Sequence, residues 1–139
     1  VNLLGRAIGP LFERLFPGLP KGHPAYGSIM LNIAANMLNL DAGHYYGATG
    51  LHPNDVIIKY HDRMRSIHIK DKTGPKHATP NANMQFGQGE TPIADVLLLL
   101  KKEKWPIRVD VELEYRIPES SDAAKEVKKC IDYMRNILA

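Results

Sequence analysis

The sequence predicts an α/β fold with a parallel sheet, preceded by a helical hairpin at the N-terminus. After residue 40, short apolar runs alternate with segments of helical spacing, a pattern typical of parallel strands joined by crossover helices. Before residue 40, the apolar residues show only helical spacing. The 139 residues can bury one core of ordinary domain size. A closed eight-stranded barrel needs about 250 residues, so any barrel in this chain is incomplete.

Residues 1–40 predict two helices separated by a break. Residues 1–16 place apolar side chains on one helix face. Residues 17–24 are rich in proline and glycine, and proline both fixes φ and disfavours helix in the residue before it. Residues 26–40 predict a second, mostly apolar helix. This helix alone is too short to cross a bilayer, because a spanning helix takes about 20 residues.

Residues 41–90 predict one helix, one strand and a long loop. Asn54 is a candidate N-cap for a helix that runs to about residue 65, since its side chain can accept hydrogen bonds from the first turn. Residues 66–70 have the pattern of a short strand. Residues 71–90 are polar, and loops of this length are usually functional or disordered.

The remaining residues predict a helix, a strand and a final helix. A threonine and a proline at residues 91–92 indicate a cap followed by the first helical position, which starts a helix over residues 93–104. Residues 106–115 alternate as a strand. A serine at position 120 or 121 opens the last helix. The apolar residues at helical spacing in that helix are Ala124, Val127, Ile131, Met134 and Leu138.

The composition narrows the class of partners. The formal net charge is +3, and the basic residues form no dense cluster of the kind that binds phosphate backbones, so we expect no nucleic-acid binding. The single cysteine, Cys130, rules out an internal disulfide and fits a reducing compartment, which favours a cytoplasmic location. It lies at helical spacing and is expected to be buried.

Three clusters place carboxylate or imidazole groups at or just after short apolar runs, in residues 41–44, 66–71 and 110–115. The carboxyl ends of parallel strands meet at one edge of a sheet, where the active groups of parallel barrels gather. In the last cluster Glu112 and Glu114 share one strand face, since side chains two residues apart point the same way. The sequence therefore predicts that these groups converge.

Carboxylates and imidazoles together suit a divalent cation such as Mn²⁺, Mg²⁺, Co²⁺ or Zn²⁺. Such an ion can hold two sugar oxygens and polarise a carbonyl, and a neighbouring carboxylate can act as the base. Spacing alone leaves structural alternatives open. His68 can be an ordinary hydrogen-bonded strand residue, Asp41 a turn residue, Asp71 a cap and Glu114 a solvated charge.

Six stretches of the sequence resemble one family of enzymes. They are Asp41-Ala-Gly-His44, Tyr60-His-Asp-Arg63, Ser66-Ile-His-Ile-Lys-Asp71, Phe86-Gly-Gln-Gly-Glu-Thr-Pro-Ile93, Val111-Glu-Leu-Glu-Tyr115 and Pro118-Glu-Ser-Ser-Asp122. Through them, residues 41–138 resemble the C-terminal part of the sugar phosphate isomerases/epimerases with a xylose-isomerase-like barrel. The resemblance implies a partial TIM barrel made of the last strand–helix units.

The same resemblance implies roles for particular residues. It maps the metal ligands onto Asp41, His68 and Glu112, with Glu114 as the rival for the last position. Glu112 would also be one of two catalytic acid/base carboxylates. The family takes a further glutamate, a ligand and base, from an earlier strand that has no counterpart here, so we expect weak or no activity from this chain alone. The residues implied to line the sugar are His44, Lys70 and Asp71.

The first forty residues resemble a different family. The stretches are Leu4-Gly-Arg-Ala-Ile-Gly-Pro-Leu-Phe-Glu-Arg-Leu-Phe-Pro-Gly-Leu-Pro-Lys-Gly-His-Pro24 and Leu31-Asn-Ile-Ala-Ala-Asn-Met-Leu38. They are similar to spore maturation protein A, a membrane protein with a nucleoside-recognition (gate) domain. The two resemblances divide the chain into residues 1–40 and residues 41–139. Their direct junction indicates a fusion, a rearranged reading frame or an artefact of sequence assembly.

These observations predict a fragment of a metal-dependent sugar or sugar phosphate isomerase/epimerase that removes a proton next to a carbonyl. The alternative is a membrane-associated fragment related to spore maturation or nucleoside recognition, in which residues 1–40 carry the function. A partial barrel leaves strand edges open, so we also expect self-association.

Overall fold

A computed structural model of the chain describes residues 37–139, in which strands and helices alternate. These residues form one compact unit, Met37–Ala139. The strands are β1 (Leu38–Asp41), β2 (Met64–Ile69), β3 (Asp71–Lys72), β4 (Asn83–Met84) and β5 (Arg108–Val111). The helices are α1 (Ala42–Thr49), α2 (Pro53–Tyr60), α3 (Ile93–Glu103) and α4 (Ala123–Leu138), with a 3₁₀ turn at His61–Arg63. The predicted α/β class is confirmed for this part of the chain.

A parallel sheet organises the described residues. It has three strands in the order β1-β2-β5, and both neighbouring pairs are parallel. A separate antiparallel pair, β3 and β4, lies within the segment predicted as a long loop. The predicted parallel arrangement is therefore confirmed, and the loop contains a short hairpin-like pairing of its own.

The parallel sheet has one apolar face and one polar face. Leu40, Ile67 and Val109 are in register across the three strands and lie on the apolar face. The next row across the same strands consists of Asp41, His68 and Asp110, which lie on the polar face. Parallel sheets are usually covered on both faces and read as continuous apolar runs. The alternation seen here instead leaves a polar surface on one side.

The helices cover the apolar face and form the core with it. Ile67 and Ile69 of the central strand are fully buried. They pack in one cluster with Ile57 of α2 and with Ile93 and Val96 of α3. Helix α4 packs against α3 and β5. Because the core that residues 37–139 form lies on one side of the sheet, the polar side chains of the strands gather on the other.

The start of the sheet corrects the sequence-based prediction. Residues 38–41 form strand β1 and not the end of a helix over residues 26–40. The apolar side chains of Leu38 and Leu40 alternate with polar ones, and this alternation suits a strand that pairs with β2. The predicted hairpin otherwise lies outside the described residues. No helix in residues 37–139 combines the length and apolarity that a membrane span requires.

Three predicted helix caps are also wrong. His52, and not Asn54, caps α2 by accepting a hydrogen bond from the Asn54 N–H. The helix ends at Tyr60, and the residues up to 65 enter a 3₁₀ turn and strand β2. Thr91 does not cap α3, because its hydroxyl oxygen accepts from the Lys72 N–H at 3.0 Å. Asp122 caps α4 in place of either serine.

The last strand and helix differ from their predictions in extent and in what they bury. Strand β5 ends at Val111, short of residue 115, although the Glu112 N–H still donates to the Ile69 carbonyl at 2.9 Å. Cys130 is buried, as predicted. Ala124, predicted to face the core, is exposed. The other fully buried side chain of α4 is that of Glu126, an acidic residue that periodicity assigns to solvent.

Glu126 is enclosed by its own hydrogen-bond partners. Tyr115 donates its hydroxyl to Oε2 at 2.9 Å, while Ser121 and Lys129 donate to Oε1 at 2.5 and 2.6 Å. The Lys129 ammonium first, and then the two hydroxyls, lower the pKa of Glu126 to about 2. The ionised carboxylate therefore joins α4 to the segment that follows β5.

We expect Tyr115→Phe to lower the midpoint of urea unfolding, because it removes one of the three donors to a carboxylate that is closed off from water. The depressed pKa means that this stabilisation is present above pH 4.5, the ordinary value, and is lost as the pH falls towards 2. The difference between wild type and variant should therefore shrink in acid.

The control is Tyr133→Phe. The Tyr133 hydroxyl makes no hydrogen bond to any residue in the described part of the chain, so its removal should change stability by no more than about 0.5 kcal/mol. Equal effects of the two substitutions would contradict the role given to the Tyr115–Glu126 pair.

Candidate functional site

The candidate site lies at the carboxyl ends of the three parallel strands. Asp41 is the last residue of β1, Lys70 directly follows β2, and Glu112 directly follows β5. The parallel register places Asp41 beside His68 and keeps Glu112 next to the end of β2. The predicted clusters therefore meet at one edge of the sheet.

Asp41 connects the end of β1 to the start of α1. Its Oδ1 accepts a hydrogen bond from the His44 N–H at 2.8 Å, so the carboxylate caps the helix while Oδ2 stays available to the site. Gly43 makes this turn possible. A Cβ at that position would lie 2.7 Å from the carbonyl oxygen of Lys70, too close for any other residue. The Asp-x-Gly-His stretch thus has a steric reason in the packing of α1 against the end of β2.

Three predicted metal ligands converge. One ligand atom from each of Asp41, His68 and Glu112 lies within 4.8 Å of the other two. All three side chains are partly buried. Two carboxylate oxygens and one imidazole nitrogen therefore surround one small volume above the polar face of the sheet.

His68 is held on both ring nitrogens. Its Nδ1 lies 2.7 Å from Glu112 Oε2, and its Nε2 lies 3.1 Å from the Asn39 side-chain nitrogen. Ser66 in turn donates its hydroxyl to Asn39 Oδ1 at 3.0 Å. A continuous chain of hydrogen bonds thus runs across the polar face from Ser66 to Glu112.

Lys70 places an ammonium in the middle of the carboxylates. Its Nζ lies 2.9 Å from Asp41 Oδ2, 3.1 Å from Glu112 Oε2 and 2.9 Å from Glu114 Oε2, and its side chain is only 3 % exposed. The oxygens approach at ion-pair distance but outside the directions in which the ammonium donates hydrogen bonds. We therefore describe these contacts as ion pairs.

The electrostatics of this group favour its charged forms. Burial alone would lower the pKa of Lys70, but the contacts with Glu114, Asp41 and Glu112 outweigh it and raise that pKa. Burial opposes ionisation of Asp41 as well. The His44 N–H and the Lys70 ammonium nevertheless hold the pKa of Asp41 below its ordinary value. The Lys70 contact is also the main cause of the lowered pKa of Glu114.

Glu112 and Glu114 have different surroundings. Glu112 contacts both His68 and Lys70, whereas Glu114 contacts Lys70 and lies 3.4 Å from His44 Nε2. The converging set contains Glu112 and not Glu114. His44, predicted to contact the sugar, has a side chain that is 48 % exposed and forms the outer rim of the group.

The structure does not bring Asp71 into this group, although the sequence predicts it to line the sugar. Its carboxylate accepts backbone N–H groups of Gly87, Gly89 and Thr91 at 2.8, 2.9 and 3.2 Å. Burial raises the pKa of Asp71 despite these donors. Consecutive strand residues point to opposite faces, so Lys70 enters the carboxylate cluster and Asp71 turns away to hold the loop before α3.

Sequence reasoning missed Asn39 as a site residue, because it was assigned to a helix. The available signal was its position two residues before Asp41, which places both side chains on one face once the segment is a strand. The structural role of Lys70 was also missed: a buried ammonium among three carboxylates is an internal counter-ion as much as a substrate contact.

Comparison with protein-family models and with curated protein sequences found no match for this chain. Both resemblances drawn from the sequence therefore stay predictions. The predicted membrane association involves residues 1–40, of which the structure describes only residues 37–40.

We expect Lys70→Met to destabilise the metal-free protein by about 1–3 kcal/mol at neutral pH. Breaking a buried ion pair costs about 3–5 kcal/mol, and the partial exposure of the three carboxylates reduces this figure. Because the pKa of Lys70 is raised, its contribution is complete below pH 10.5 and is lost as the pH rises through the folded-state value. Urea unfolding in the presence of a chelator measures both effects.

Lys72→Met is the matched control. Lys72 is as buried as Lys70, but its ammonium donates to the neutral side chain of Asn83. A loss of stability in Lys70→Met no larger than that in Lys72→Met would contradict the counter-ion role.

Proposed function

We propose that this chain carries the cation-binding part of a sugar or sugar phosphate isomerase/epimerase site, formed by the last strand–helix units of a TIM barrel. The observation that carries the proposal is the convergence of Asp41, His68 and Glu112 at the carboxyl ends of three parallel strands. The reaction we propose is removal of a proton next to a carbonyl, which either moves the carbonyl or inverts a stereocentre.

The dimensions of the cluster fit a divalent cation. Oxygen and nitrogen ligands lie about 2.0–2.2 Å from ions such as Zn²⁺ or Mn²⁺, so two ligands of one ion are at most about 4.4 Å apart. The ligand atoms here lie within 4.8 Å of one another. The widest separation in the cluster therefore exceeds this limit by no more than a few tenths of an ångström. Their oxygen, nitrogen, oxygen composition suits hard to borderline ions.

The charge of the cluster also fits. Asp41, Glu112 and Glu114 supply three negative charges and Lys70 supplies one positive charge, so the group has a net formal charge of −2 with both histidines neutral. A single divalent cation would neutralise it. Asp41 and Glu112 would then contact both the cation and the Lys70 ammonium. Glu114, which is outside the ligand set, would contact Lys70 and not the cation.

The chain's own residues have separable roles in this proposal. A bound cation would supply the polarisation of the sugar carbonyl. Glu112 supplies the carboxylate that takes the proton, and Lys70 stabilises charge beside it. His44, at the exposed rim, is placed to hydrogen-bond a sugar hydroxyl. We expect slow or no turnover by this chain alone, because the family resemblance implies a second acid/base carboxylate from an earlier strand.

The polar face of the sheet supports a barrel-derived origin. In a closed barrel one face of each strand points to the interior and the other packs on helices. The described sheet has this division, with Asn39, Ser66 and Arg108 forming a second polar row beside the row of Asp41, His68 and Asp110.

Isothermal titration calorimetry with Mn²⁺ tests the cation site. We expect saturable binding by the wild type and at least a tenfold weaker affinity in His68→Ala, since each lost ligand removes a direct bond to the ion. The matched control is His52→Ala, because His52 also pairs with a carboxylate, that of Asp95, at 3.1 Å but lies outside the cluster. Identical heats for wild type and His68→Ala would remove the metal site from the proposal.

We also propose that β1 and β5, the outer strands of the sheet within residues 37–139, mediate self-association. Unpaired N–H and C=O groups of an edge strand can pair with a second chain. Light scattering coupled to size exclusion should show a mass that rises with protein concentration. A monomer mass over the whole concentration range would contradict this expectation.

A further inference from the structure

We propose that Asn39 is a positioning residue that holds the His68 ring by pairing with its Nε2, so that Nδ1 faces a bound cation. This inference rests on the proposed function, because it concerns how the imidazole of that same site is oriented. Three hydrogen bonds carry it: Ser66 to Asn39, Asn39 to His68, and His68 to Glu112.

The contact with Glu112 fixes the proton on His68. A carboxylate oxygen lies 2.7 Å from Nδ1, and both atoms would present lone pairs to each other if Nδ1 were unprotonated. In the neutral ring, the proton must therefore be on Nδ1, from which it is donated to Glu112. The lone pair of the ring is then on Nε2.

Asn39 completes this arrangement. Its Oδ1 accepts the Ser66 hydroxyl at 3.0 Å, which leaves its NH₂ group facing Nε2 at 3.1 Å. An amide N–H donates to the lone pair of Nε2, so every group in the chain from Ser66 to Glu112 has a matching partner. The metal-free protein thus holds His68 as the Nδ1–H tautomer.

A cation between Asp41, His68 and Glu112 requires the opposite tautomer. Nδ1 is the nitrogen on the Glu112 side, so it is the atom that would bind, and it must first lose its proton. The ring stays neutral by taking a proton from solvent on Nε2. If the Asn39 amide rotates, its oxygen accepts from Nε2–H and its NH₂ group turns towards Ser66. The Ser66 hydroxyl then accepts a hydrogen bond where it donated one before, because a hydroxyl can do either. Asn39 therefore has a partner for Nε2 in both states.

This role explains the order of residues on β1. Asn39 and Asp41 point to the same face, and the register places Asn39 beside Ser66 and Asp41 beside His68. One strand thus supplies a cation ligand and, two residues earlier, the group that orients the neighbouring ligand. Outer partners of metal-binding histidines orient the ring in this way.

Nitrogen-15 NMR of histidine-labelled, metal-free protein at mildly alkaline pH tests the tautomer without any metal. We expect His68 in the Nδ1–H form. His52 is an internal control of opposite type, because its Nδ1 accepts from the Asn54 N–H and its Nε2 donates to Asp95. The Nε2–H form at His68 would overturn the assignment, whatever the protein does with metals.

The role of Asn39 in cation binding is tested with ¹¹³Cd²⁺ as the probe. In the wild type we expect a ¹¹³Cd–¹⁵N coupling at Nδ1 of His68. Asn39→Leu, which cannot accept from Nε2–H, should bind Cd²⁺ about 10–100-fold more weakly and lose the Nδ1 coupling. Ser66→Ala keeps Asn39 but frees its amide, so its loss of affinity should be smaller.

The outcomes separate the two proposals. If the wild type binds no Mn²⁺ or Cd²⁺ while His68 is in the Nδ1–H form, the cation site fails and the hydrogen-bond chain stands as a structural feature only. If Asn39→Leu keeps both the wild-type affinity and the Nδ1 coupling, Asn39 has no positioning role even though the cation site exists.

Discussion

The ion pairs of Lys70 join the carboxyl ends of the three parallel strands. Carboxylates from the ends of β1 and the segment after β5 would repel one another without the ammonium that follows β2. The raised pKa of Lys70 keeps that ammonium charged. A buried charge without an opposite charge beside it is strongly destabilising, so the three carboxylates are needed as its partners. The same interaction fixes the positions of Asp41 and Glu112 relative to His68, so site geometry and local stability have a common origin.

The division of the sheet into two faces connects this interaction to the fold. Isoleucines of β2 are sealed against helices α2 and α3, and the alternating residues of that strand, Ser66 and His68, point the other way. A strand slip of one residue would bury the polar set and expose the core. The hydrophobic core therefore determines the strand register that brings the candidate ligands together. The polar cluster is not needed to select that register.

Much of this organisation follows from local sequence. The apolar alternation of residues 66–70 and the helical spacing of residues 93–104 predict elements that the structure contains. The errors have physical causes outside the local window. Thr91 looks like a cap but bonds the Lys72 backbone nineteen residues away, and Glu126 looks solvent-facing but is covered by Tyr115 and Ser121.

By itself, the sequence determined the class of the fold and the identity of the groups that meet, because periodicity and residue chemistry are local properties. Only the tertiary structure decided how those groups are used. It made residues 38–41 a strand through pairing with β2, separated Lys70 from Asp71 onto opposite sides, and placed Asn39 against His68. These outcomes depend on distances between segments far apart in the chain, which no single stretch of residues specifies.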